Sequence, residues 1–146
     1  MNLDAGKMLS SAAVGLIDSS ALGPLEGYAG ASAGGLGMAL MILSDQLDGA
    51  AANLSSENEA LREIFGQAAS RVGGPLGERL SAVVQGEHED LRVHVLQAEN
   101  DALRSLLIEL HAWVEEAGAD AADLENAIWA ELRVSTERRN VGFAPF

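Results

Sequence analysis

Ser56-Glu57-Asn58-Glu59-Ala60-Leu61-Arg62 returns forty-two residues later as Ala98-Glu99-Asn100-Asp101-Ala102-Leu103-Arg104. Five of the seven positions are identical, a sixth exchanges Glu for Asp, and Leu54 ahead of the first copy matches Leu96 ahead of the second. Both copies lie in long stretches with helical periodicity. Around the first, Leu47, Leu54, Leu61 and Ala68 recur every seven residues, with Ala51, Asn58 and Phe65 four after the first three. Around the second, Leu96, Leu103 and Leu110 make the same ladder, flanked by Val93, Asn100, Leu107 and Val114. Asn58 and Asn100 therefore fall inside apolar stripes rather than opposite them.

Each Asn is followed four residues later by an Arg, Arg62 or Arg104, and Glu59 and Asp101 precede those Arg residues by three. Side chains at these spacings share a helix face. An Asn inside a helix is a weak helix former and costs free energy when buried without partners. Two Asn at equivalent core positions are therefore expected to pair, with each other or with an Arg or Glu of the facing helix. One reading is a polar layer that sets helix register. A second is a ligand site built from Glu57, Asn58, Arg62, Glu99, Asn100 and Arg104, since inward polar groups in a bundle core are where such sites occur. A third is chance similarity between two helix-favouring segments, and the repeat is short enough to keep all three open.

Moving outward, 146 residues fit one domain and are enough to bury a core. Apolar residues make up 48% of the chain but aromatic ones only 4%, which suits helices packed through Ala and Leu. Cysteine is absent, excluding disulfides, thiolate metal sites and cysteine nucleophiles. The net charge of −13 argues against a general nucleic-acid surface, because phosphate contacts need Lys and Arg. The same field repels anionic lipid and fits a protein partner with a basic surface. Residues 1–10 have no basic region followed by a solid apolar core, so no signal peptide is read and a cytoplasmic location is expected.

Along the chain, residues 4–18 predict a first helix capped by Asp4, with Met8, Leu9, Ala12, Ala13, Leu16 and Ile17 on its apolar face, and residues 1–26 form an N-terminal helix and loop. Gly27 to Ser44 is an uncharged run of eighteen residues, at the lower edge of a membrane span. Its first half is Gly, Ala and Ser and its flanks are acidic, so a membrane role is not expected. The Gly30-xxx-Gly34 spacing predicts close approach of another helix. Long helices are expected over 35–70 and 87–117, with Asp48-Gly49 and Gly66 as soft points in the first. Gly73-Gly74-Pro75 breaks the chain between them, Pro75 opens a short segment, and Gly118 stops the second long helix. A last helix spans 120–139 with Leu124, Ala127, Ile128 and Leu132 on its face, and the tail 140–146 carries two Phe that predict docking on the chain's own bundle.

No catalytic chemistry stands out. Glu87-His88-Glu89-Asp90 reads as carboxylates complementing a helix start. No Glu lies three before any of the three His, so the di-iron pattern is missing and no metal or cofactor is expected. His111 reads as a packed histidine at the edge of the core ladder. The fold class expected is all-α, an up-and-down bundle of two long antiparallel helices with shorter helices at either end and a weak internal repeat. Antiparallel packing need not set Asn58 against Asn100, and dimerisation is an alternative that pairs each with its symmetry mate. The function expected is that of a non-enzymatic acidic bundle protein, a homodimer or partner-binding subunit or regulator. The alternative is a small-molecule-binding protein or enzyme using the Glu/Asn/Arg layer.

Overall fold

The computed structural model describes residues 4–18, 27–86 and 90–140, and these are all-helical. The elements are α1 (Ala5–Ile17), α2 (Tyr28–Ala69), α3 (Gly74–Val84), α4 (Val93–Ala117) and α5 (Ala122–Arg138), with a 3-10 turn at Gly118–Ala121 before α5. The described residues divide into two compact units, the first up to Ala50 and the second Ala51–Asn140. The division falls inside α2, next to the Asp48-Gly49 soft point. Helical structure nevertheless continues through both that point and Gly66.

In the first unit α1 meets the N-terminal half of α2. Asp4 caps α1 as expected, accepting from the Lys7 amide at 3.1 Å. The apolar face anticipated for α1 is mostly left in the open: only Gly6 and Ala13 are buried, and Met8 is 57% exposed. Ser44 reaches across to donate to the Gly6 carbonyl at 2.9 Å and lies 2.9 Å from the Ser10 hydroxyl. α2 begins at Tyr28, so the Gly-rich lead-in expected before residue 35 is itself helical. The glycine that admits α1 is Gly37, not Gly34, which has open space around it. A methyl group on Gly37 would sit 2.6 Å from Ile17 Cγ1 and 2.8 Å from the Ala13 carbonyl oxygen. Gly37→Ala is therefore expected to cost about 1–3 kcal/mol of α1 packing, against no loss for Gly34→Ala. Amide exchange of α1 checks this, and unchanged protection in Gly37→Ala would show that the helices part without penalty.

The second unit packs the C-terminal part of α2 with α3, α4 and α5. Its core joins Leu61, Ile64, Phe65 and Ala68 of α2 to Leu80 of α3, Leu103, Leu106, Leu107, Leu110 and Val114 of α4, and Leu124 and Ile128 of α5. This is the ladder read from the repeat, displaced toward the C-terminus: Leu47 is 47% exposed and Val93 40%. α4 starts at Val93 rather than near residue 87. Asp90 folds back on Arg92 instead of capping a helix, accepting from the Arg92 amide at 3.0 Å, and residues 87–89 lie outside the described residues. α4 ends at Ala117 with Gly118 at its C-cap, as expected. On α5 the buried line is Leu124, Ile128, Glu131 and Ser135, so the expected Ala127 and Leu132 are peripheral and the far end of the seam is polar. The two Phe of the tail and its docking also lie outside the described residues. Among the described residues, no helix is long and apolar enough to cross a membrane.

Candidate functional site in the duplicated layer

Asn58 stands on α2 between Leu54 and Leu61, and Asn100 stands on α4 between Leu96 and Leu103. Helical spacing turns both into the same interior, and both are essentially inaccessible to solvent, at 1% and 0% exposure. They meet directly within one chain: Asn100 Nδ2 donates to Asn58 Oδ1 at 2.8 Å. Asn58 Nδ2 in turn donates to the Leu96 carbonyl at 3.1 Å. A buried amide has two donors and an acceptor to satisfy, and this exchange meets much of that need without water.

The charged members of the repeat pair crosswise. Glu57, second in the first copy, lies 3.0 Å from Nη1 of Arg104, last in the second. Arg62, last in the first copy, bonds through Nη2 to Glu99, second in the second. All six residues singled out in the sequence thus belong to one layer, and each has a protein partner. The two sides are unequal. The Glu57 side chain is 4% exposed and that of Glu99 21%, and Glu57 receives a second cation, Arg139 Nη2, at 2.8 Å. The same Arg139 nitrogen reaches Asn100 Oδ1 at 3.4 Å.

Arg139 is the residue that sequence reading missed. Its neighbour Arg138 bonds Glu131 at 2.6 Å, and the Arg138 carbonyl accepts from Asn53 at 3.3 Å. The seam of α5, where Leu124 and Ile128 are followed at helical spacing by Glu131 and Ser135, signals only Arg138, the partner of Glu131, and not Arg139. A buried acid on that line needs a cation within reach.

Beside the Arg62–Glu99 side opens a groove of about 460 Å³, lined by Arg62, Arg79, Val83, Glu99, Leu103 and Leu106 among others. Arg62 Nε donates to the Val83 carbonyl at 2.8 Å, while its Nη1 is buried without a hydrogen-bond partner among the described residues. Arg79 is held in a two-pronged pair with Glu109, 2.7 Å on each prong, which ties α3 to α4. Those bonds hold the Glu109 carboxyl below the usual carboxylate range. A carboxyl whose folded value is depressed contributes stability that is complete above its unfolded value and is lost as pH falls through the folded one. Urea unfolding of Glu109→Gln should therefore differ from the parent most at neutral pH, with the gap closing in acid. A gap that widens in acid would contradict this assignment.

The remaining candidates for chemistry are quiet. His111 meets Trp129 edge to face, centroids 5.7 Å apart and planes at 87°, a packing contact. Among the described residues no three His, Asp or Glu side chains gather where a metal ion would be held. Comparison with protein-family models, curated proteins and solved structures finds no match.

Proposed function

We propose that the protein is a non-enzymatic acidic helical protein, a subunit or regulator that acts through oligomerisation or partner binding. In this reading the duplicated layer is an internal register device. The supporting observation is the direct hydrogen bond from Asn100 to Asn58, both buried and both further bonded to groups of the chain itself. A substrate or ligand would have to break that pair to reach them. The crosswise contacts of Glu57 with Arg104 and Arg62 with Glu99 fit two long antiparallel helices of an up-and-down bundle, brought together through two related elements. A slip of one turn would bring unlike groups together and strand buried charges, so the layer favours a single alignment. A cytoplasmic protein meeting a basic partner surface accords with the charge of −13.

A second reading keeps the groove beside Arg62. Its apolar wall, with Arg62 and Arg79 in its lining, suits a small amphiphile with an anionic end. Native mass spectrometry of protein from its own host separates the two. The expected result is a mass built from whole chains of 15.2 kDa, with or without a second protein. A stoichiometric small molecule, lost in Arg62→Ala, would replace the first reading by the second.

A further inference from the structure

We infer that the face of α2 carrying Leu36, Leu40, Leu43 and Leu47 is where a second copy of this chain docks, helix against helix. The inference rests on the reading that the protein works through protein contacts. Among its described residues the first unit has almost no core: the buried ones are Gly6, Ala13, Gly37 and Ser44, none larger than serine. Two helices held by so little interior need further apolar cover to be stable. The missing cover is on view in the same helix. Leu36, Leu43 and Leu47 are 61%, 56% and 47% exposed, and Leu40 between them is half-buried.

Their spacing of four, three and four is that of a coiled-coil seam, and the phase continues at Ala33 and Ala29 before it and Ala50 after it. At 1.5 Å per residue, a seam from residue 29 to residue 50 is roughly 30 Å long. One flank of the seam is Gly37 and Ser44, already covered by α1. The other is Ala39 and Gln46, exposed and uncharged.

Charge selects the occupant. Two chains of charge −13 repel each other, and α2 carries no charged residue from Tyr28 to Ser44. The nearest acids, Asp45 and Asp48, stand off the seam. Like faces can therefore meet here without opposing carboxylates, whereas a basic partner finds no acidic flank to hold it. A two-fold contact of two α1–α2 hairpins would form a four-helix arrangement, closing on itself and leaving no free seam.

Sedimentation equilibrium of the full chain tests this. The parent should be a dimer of 15.2 kDa chains, and Leu43→Glu with Leu47→Glu should be monomeric with its helical circular dichroism retained. Asp45→Ala, off the seam, should dimerise like the parent. If the Glu pair loses helicity, Leu43→Ala with Leu47→Ala decides, with an expected weakening of the dimer by about a hundredfold. A monomeric parent, or a dimer indifferent to the Ala pair, overturns the surface. Neither result touches the broader reading, which falls only to the stoichiometric small molecule named above.

Discussion

Replacing Asn58 alone with Leu should cost about 2–3 kcal/mol of unfolding free energy, and replacing Asn58 and Asn100 together should bring stability back to within about 1 kcal/mol of the parent. The single change leaves Asn100 Nδ2 with no acceptor at a position of 0% exposure, and an amide stripped of water and partner bears its full desolvation penalty. The double change removes that donor and acceptor together and sets apolar side chains beside Leu54, Leu61, Leu96 and Leu103, while Arg139 loses only its 3.4 Å contact and keeps Glu57. The three variants form a cycle in which the two single costs fail to add, as expected for residues in direct contact. Urea unfolding at neutral pH measures it. Additive costs would mean that each Asn is stabilised by something other than its partner. The double variant should still differ from the parent in one respect: only the crosswise pairs Glu57–Arg104 and Arg62–Glu99 are left to fix the alignment of α2 and α4, so its amide spectrum should broaden even as its stability is retained.

The larger loss is expected from one methyl group. Gly77 is buried in the first turn of α3, and a Cβ there would run into the Val72 carbonyl oxygen, with the Val72 carbonyl carbon at 2.9 Å. Backbone cannot step aside as a side-chain tip can. Gly77→Ala should therefore cost about 3 kcal/mol or more, either by pushing α3 off Leu80's packing site or by forcing open the turn after α2. Gly66→Ala provides the contrast within the same unit. Gly66 is exposed in the last turn of α2, and an added Cβ would find only Val84 methyls at 3.9 and 4.0 Å. That substitution should stabilise by about 0.5–1 kcal/mol through helix propensity alone. Equal effects of the two substitutions would show that the Val72 contact is relieved at little cost.

Much of the helix layout was readable because its signals are local. Asp4 as a cap, Gly73-Gly74-Pro75 as a break and Gly118 as a stop act within a few residues of themselves. The six residues of the layer were legible for a related reason: an Asn repeated inside an apolar stripe is costly unless something answers it. What answered it was harder to see. Whether Asn58 meets Asn100 or a symmetry mate depends on how far each stands from the intervening turn, and α3 lies in that interval. Arg139 was missed because its partners are 82 and 39 positions away, beyond any periodicity. The start of α2 is hard to place from sequence because Gly30, Gly34 and Gly35 lower helix propensity while the Ala and Ser between them give little apolar contrast. The face of α1 was overestimated for a different reason. Periodicity shows which residues share a side of a helix, but burial also requires something to cover that side, and among the described residues of the first unit α1 closes on α2 mainly at Gly6, Ala13, Gly37 and Ser44.

The crosswise pairing has a further consequence. Because the acid of each copy answers the Arg of the other, and the central Asn answers an Asn, the seven-residue element is close to being its own complement. Any helix that carries one copy presents what another such helix requires, whether or not the two belong to the same polypeptide. Two chains that opened together could exchange their α4 helices and recover nearly every contact they had lost, so the element that secures the fold also leaves a route to domain-swapped chains during concentrated refolding.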